Sequence, residues 1–338
     1  MGGGASPDFF IKNAMKKKVL LHTHIEGSIP RSTLSELCLK NKVDFPFDIN
    51  TTDFRSVIDK NDWNTFRKIF YALCNCFQTE EDYYSALFNY GLSIKKNNVI
   101  YAEVKFSPWR HISRNISMDI IYRGFERAVI ELERNHNVAV RLICDFVRNQ
   151  NENAAVILDW LICNKKDSYI TGAGNSGGTG AVPRKNYQDV FFKLKDSGYK
   201  ITAHAGELEP PDSIFEAIDC LYADRIGHGI TIVDHPQLME KLKTRNIHFE
   251  LCPSANDFIG LGKPNFQSIK EMLLLAKNCS INTDDELIFQ TNIENEYQLL
   301  LQNNIISEND IMNLNLNALE NSFLNTAEKM RIRDRITP

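Results

Sequence analysis

The stretch "VLLHTHIEGS", residues 19–28, sets two histidines one residue apart at the end of an apolar run. On a strand successive side chains point to opposite faces, so His22 and His24 share one face and Thr23 takes the other. Two imidazoles on one face can grip one metal ion. Further along, "KITAHAGE" carries His204 and Glu207, "RIGHG" carries His228, and "CSINTDD" ends in Asp284 and Asp285. Each again closes a short apolar run, and four of the chain's eight histidines fall at such places. Three imidazoles with one carboxylate suit zinc, whose open position takes a water. Zinc lowers the pKa of that water from about 15.7 to about 7, which makes hydroxide available at neutral pH. These segments hold more groups than one metal needs. Glu207 suits a general acid, and His228 with one carboxylate of the aspartate pair suits a group that orients or deprotonates the water.

Residues so far apart meet only if a fold brings their strand ends to one face. Eight segments read as strands: "KVLLHTH", "VIYAEVKFSP", "VAVRLICDF", "SYITGAG", "KITAHAGE", "RIGHG", "IHFELCP" and "CSINTDD". Between most of them lie helical patterns with apolar residues at spacings of three and four, such as "DIIYRGFERAVIELERN" and "PDSIFEAIDCLYA". The alternation predicts an α/β fold, an eightfold (β/α) TIM-type barrel, with all strand ends on one face. Its domain is expected to span 18–338, after a flexible segment or tag remnant at 1–17. Residues 29–97 form a long helical insertion after the first strand, placed to roof the mouth. Within it, "NDWNTFRKIFYALCNCF" predicts a helix with Trp63, Phe66 and Phe70 on one face. The fourth strand ends in "TGAG", with no acid to bridge a second metal, so one metal per subunit is expected. The glycine-rich "TGAGNSGGTGAVP" lacks the Lys-Ser/Thr ending of a phosphate loop.

With 338 residues, 43% apolar and 24% charged, the chain can bury a large core, and a net charge of −4 argues against a nucleic-acid partner. No apolar run reaches the roughly 18 residues that would cross a bilayer, so a cytoplasmic protein is expected. The eight cysteines sit mostly in apolar segments and read as reduced, buried thiols. The spacing of Cys74 and Cys76 would suit a metal, but no second cysteine pair joins them. The start "MGGGAS" matches an N-myristoylation pattern at Gly2, with a lysine group at 16–18; an unmodified start is the commoner case. Nothing in the chain sets an oligomeric state, and a monomer would suffice.

The ordered motifs "LHTHIEGS", "YAEVKFSP", "AHAGE", "DRIGHG", "FELCPSAN" and "INTDD" resemble those of the adenosine deaminase family, a branch of the amidohydrolase superfamily. The match runs from about residue 18 to the final helices near 330. The resemblance implies hydrolytic deamination of a purine nucleoside, adenosine or 2′-deoxyadenosine, to inosine or deoxyinosine plus ammonia. It implies one zinc held by His22, His24, His204 and Asp284. Glu207 would protonate purine N1, His228 would orient and help deprotonate the water, and Asp285 would contact N7 and that water. The backbone amide of Gly174 would meet N3, and Phe66 and Phe70 would cover the ribose.

Two departures bear on the substrate. Glu26 stands where adenosine-using members carry an aspartate that contacts the ribose 5′-hydroxyl, and the loop after Gly174 is unusually glycine-rich. Adenine, N6-methyl-AMP or an aminofutalosine-type nucleoside are the alternatives, with Arg67 either paired to a phosphate or facing solvent. A non-catalytic purine-binding protein is a third reading, disfavoured by the complete ligand set. A cytidine-deaminase-type site is disfavoured because no Pro-Cys-x-x-Cys follows the His-x-Glu at 24–26.

Overall fold

The computed structural model describes residues 16–59, 63–148, 153–178 and 180–336. The start "MGGGAS" and its lipidation pattern lie outside the described residues.

Eight strands follow one another around a single parallel sheet in sequence order: β1 (Lys18–Leu20), β2 (Val99–Phe106), β3 (Ala139–Val147), β4 (Ile170–Ser176), β5 (Lys200–Ala205), β6 (Arg225–His228), β7 (His248–Leu251) and β8 (Cys279–Ile281). A bridge between Thr23 and Asp284 brings the last strand back to the first, and Asn282 Oδ1 accepts from the amides of Leu21 and His22 at 2.8 and 3.1 Å. The result is a TIM-type (β/α)8 barrel. Strands covered on both sides read as nearly continuous apolar runs, and every residue of β2 is buried.

The helices occur where the periodicity places them. Between β1 and β2 lie α1 (Arg31–Asn41), α2 (Trp63–Asn75) and α3 (Glu80–Lys96). A longer helix then follows each strand from β2 to β7: α4 (Met118–His136), α5 (Ala154–Asn164), α6 (Gln188–Asp196), α7 (Asp212–Leu221), α8 (Pro236–Leu242) and α9 (Gln267–Leu275), with short extra helices at Pro108–Ile112 and Pro253–Phe258. After β8, α10 (Ile293–Gln302) and α11 (Glu308–Asn321) close the other end, where Asn315 Oδ1 accepts from Val19 N at 2.7 Å. Asp82 ties the insertion together. It completes a capping box with Thr79 at the start of α3 and takes Lys40 Nζ at 2.6 Å from the end of α1.

The strands stop earlier than the apolar runs suggested. β1 ends two residues before His22 and β8 three before Asp284, because the chain turns there: Asp284 has φ +62° and His228 +63°, both left-handed. Non-glycine residues adopt that conformation at a cost, which Asp and His bear more readily than most. All eight cysteines are free. Cys76 Sγ faces Cys38 at 3.1 Å and Cys74 is buried, with no other metal-binding residues grouped around them among the described residues. No helix among the described residues is long and apolar enough to cross a membrane.

Candidate active site

Four side chains from three strand ends converge at the barrel mouth. His22 Nε2 lies 3.1 Å from His204 Nε2, and His24 Nε2 lies 3.2 Å from the same atom. Asp284 Oδ1 stands 3.3 Å from His22 Nε2 and 3.5 Å from His24 Nε2. Two ligand atoms each about 2.0–2.1 Å from one ion at tetrahedral angles stand roughly 3.3 Å apart, so these four fit the corners of one divalent metal. His228 also offers a ring nitrogen within 4.8 Å of the ligand atoms of His22, His204 and Asp284. Its Nε2 is 4.0 Å from Asp284 Oδ2 and 3.7 Å from Glu207 Oε1, which sets it beside the group rather than at a corner.

Hydrogen bonds behind the rings turn their lone pairs inward. His204 Nδ1 donates to Asn175 O at 3.3 Å, leaving Nε2 bare. His22 Nδ1 lies 2.7 Å from Glu250 Oε2 and 2.8 Å from Lys105 Nζ. One nitrogen cannot donate and accept together. Burial alone would raise Glu250, but Lys105 and Arg225 hold it well below the usual carboxylate range, so it is the ionised acceptor and His22 Nδ1 carries the hydrogen. Burial first, and then the charge of Lys105 and the neighbouring rings, keeps His24 and His204 well below the usual imidazole range, although Asp284 pulls His24 the other way. Neutral imidazoles with their free nitrogens turned together are what a metal requires.

Beside this group sit three further ionisable residues. Burial, reinforced by the charge of Asp284, raises the Glu207 carboxyl to about 8. Burial, then the charges of Asp284, Glu26 and Glu207, raise Asp285 well above its usual range. His228 Nδ1 accepts from Asn256 Nδ2 at 3.1 Å, so the neutral ring carries its hydrogen on Nε2, the atom that faces Glu207.

The cluster opens into a cavity of about 810 Å³, mouth included, within the usual span for small-molecule sites. Its floor is His24, His204, Glu207, Asp284 and Asp285, and its wall includes Ser107, Ser176, Gly177 and Gly178. Above them α2 contributes Phe66, Arg67, Phe70 and Tyr71. Phe66 stacks between Phe70 and Phe289 at 6.2 and 6.3 Å, a flat apolar cover suited to a planar heterocycle.

A sequence profile described as "Adenosine deaminase" matches residues 17–338. The chain belongs to the adenosine deaminase family. It is 30% identical over 321 residues to a protein named adenine deaminase from Psychrobacter cryohalolentis, covering 94% of this chain and 96% of that one. The crystal structure of adenine deaminase from Arthrobacter aurescens superposes with a TM-score of 0.88 at 26% identity, covering 95% of this chain and 98% of that one. The N6-methyl-AMP deaminase of Arabidopsis thaliana shares the fold, with a TM-score of 0.82 at 23% identity over 97% of this chain and 98% of that one.

Against the residues expected from the family motifs, His22, His24, His204 and Asp284 come together, with Glu207, His228 and Asp285 beside them, and Phe66 and Phe70 reach the cavity. Two expected contacts do not. Glu26 is fully buried: its Oε1 accepts from Ser107 N at 2.7 Å and lies 3.6 Å from His111 Nε2, and the cavity wall is Ser107 itself. Gly174 lies inside β4, not on the wall. A Cβ there would come within 2.4 Å of Asp145 Oδ1, so the glycine makes room for a neighbouring carboxyl rather than a ligand. The glycines that line the cavity are Gly177 and Gly178. Arg67 is half-buried on the cavity wall, donating to Asn64 Oδ1.

Sequence reasoning missed Glu250, Lys105, Asp145 and Ser176. The signal for the first three was a charged residue inside an otherwise apolar strand: "FELC", "EVKF" and "ICDF". Such a charge is buried only with a partner, and the partner lies on another strand.

Proposed function

We propose that this chain deaminates a 6-aminopurine by hydrolysis, with free adenine as its substrate and hypoxanthine and ammonia as products. The preference read from the sequence was adenosine. The observation that carries the change is Glu26: its Oε1 accepts from Ser107 N, and the whole carboxyl, Oε2 included, is buried behind the wall rather than presented to the cavity where a ribose 5′-hydroxyl would lie. The relatives named adenine deaminase support the same reading.

One zinc would be held by His22, His24, His204 and Asp284, a nitrogen-rich set with one carboxylate that suits zinc over magnesium or calcium. Bound there, it would supply hydroxide at neutral pH. The rest falls to the protein. Glu207, kept protonated by burial, gives its proton to N1 as C6 is attacked. His228, with hydrogen on Nε2, donates to the attacking oxygen and orients it; Asp285, which a bound metal's charge would hold ionised, takes the proton of that oxygen and passes it to the C6 amino group, which leaves as ammonia. Gly177 and Gly178, which line the wall where Gly174 does not, take the place beside N3. Phe66 and Phe70 cover the ring and exclude water.

A second reading has one observation in its favour. Arg67 stands on the wall of the cavity, where a phosphate on the purine's sugar could reach it. Ultraviolet absorbance with adenine, adenosine, 2′-deoxyadenosine, AMP and N6-methyl-AMP, each supplied alone, tests both. Turnover of adenine above the rest is expected. Turnover confined to phosphorylated purines would move the substrate to the Arg67 reading, and adenosine above adenine would overturn the base preference. Silence on all, with metal and purine both bound, would leave a purine-binding protein.

A further inference from the structure

A buried Asp145 and a half-buried Ser176 form a pair that the deamination chemistry does not use. Asp145 lies near the end of β3, fully buried, and Ser176 is the last residue of β4 and lines the cavity. Residues 174 and 176 share one face of β4. The absent side chain at Gly174 lets the Asp145 carboxyl lie across that face, and the Ser176 hydroxyl donates to its Oδ2. The hydroxyl hydrogen is therefore committed inward, and the oxygen that remains toward the cavity can only accept.

An acceptor there meets a defined edge of the purine. With C6 over the metal cluster, N1 and N7 flank it and N3 and N9 lie on the far edge. Ser176 stands outside the cluster, which is drawn from the ends of β1, β5 and β8, and next to Gly177 and Gly178 on the same wall. The wall thus offers a hydroxyl acceptor, and the far edge of free adenine offers its complement, the donor at N9. We infer that Ser176, oriented by Asp145, is a specificity-determining residue that receives the N9–H of the free base, a hydrogen that every 9-substituted purine lacks. This rests on the reading of adenine as substrate and names the contact that enforces it. Burial raises the Asp145 carboxyl to about 6, against the pull of the Ser176 hydroxyl, so at neutral pH it is the ionised acceptor that the arrangement needs. A site that spends a polar group on one hydrogen of its substrate discriminates against the analogue without it, because the group is then left unpaired.

The experiment compares adenine with 9-methyladenine, and hypoxanthine with 9-methylhypoxanthine, on wild-type protein and on Ser176→Ala. The ratio of kcat/KM for adenine over 9-methyladenine is expected to fall roughly tenfold or more in the variant, through loss on adenine alone. Calorimetric binding of the two hypoxanthines should show the same narrowing without turnover. Ser176→Thr keeps the hydroxyl and should keep the preference. Asp145→Asn places an amide donor against Ser176, turns its hydrogen toward the cavity, and should lose the preference with Ser176 still in place. An unchanged ratio in Ser176→Ala, on a wild type that turns over adenine, overturns the role of Ser176 alone. A wild type that favours adenosine over adenine overturns the substrate reading and this contact with it.

Discussion

The barrel interior holds two polar layers that differ in how they settle their charge. In the lower one Arg225 lies 2.5 Å from Glu103 Oε2 and 2.6 Å from Glu250 Oε1, with its guanidinium 3.5 Å over the Phe323 ring. Lys105 adds a second cation 3.3 Å from Glu250, and Tyr101 Oη donates to Glu103 at 2.7 Å. Two carboxylates face two cations, and the layer is closed within the protein. At the mouth the reverse holds. Imidazole lone pairs stand 3.1 and 3.2 Å apart around one carboxylate, with hydrogens engaged behind the rings on His22 and His204. Such an arrangement repels itself until a cation enters. The lower layer serves stability and the upper one binding, and Glu250 belongs to both.

Mutations should separate the layers. The largest effect on folding is expected from Arg225→Met, which strands Glu103 and Glu250 without their shared cation. A loss of about 3–5 kcal/mol in urea denaturation should follow. Glu207→Gln at the mouth should leave the denaturation midpoint nearly unchanged and the metal bound, while kcat for adenine falls at least about 10², because the amide cannot give a proton to N1. Near-normal turnover would remove Glu207 from the acid role. Glu250→Gln tests the link between layers. With a weaker acceptor behind His22, metal affinity should drop by about 10–100-fold in competition with a chromophoric chelator.

The smallest effect is expected away from both layers. Burial raises Glu296 on α10 from an ordinary 4.5 to about 7, although Thr291 and Ser254 hydrogen-bond its carboxylate. Because the folded value lies above the unfolded one, its contribution is fully present below about 4.5 and is lost as pH rises through about 7. Glu296→Gln, which cannot ionise, should therefore raise Tm at pH 8 and leave it nearly unchanged at pH 4.5.

The same division explains what the sequence made readable. Each strand announced itself as an apolar run, and those at the mouth ended on an unpartnered histidine or acid, so the architecture and the converging set from His22 to Asp285 followed from local patterns. Glu250 and Lys105 were hidden because their meaning lies in pairing across the barrel, which no single strand displays. Gly174 misled for a related reason. A glycine before a loop reads as room for a ligand or for another side chain, and only the position of Asp145, 29 residues earlier, decides between them. Glu26 followed the same pattern, since its engagement by Ser107 depends on β2, far along the chain.

The most direct test of the central claim is a metal assay joined to adenine turnover on the same purified sample, before and after chelation. One zinc per chain is expected, with deamination lost as the metal is withdrawn and restored when zinc is returned. Full turnover of adenine by metal-free protein would contradict the account, because the mouth would then perform its chemistry without the cation its geometry requires.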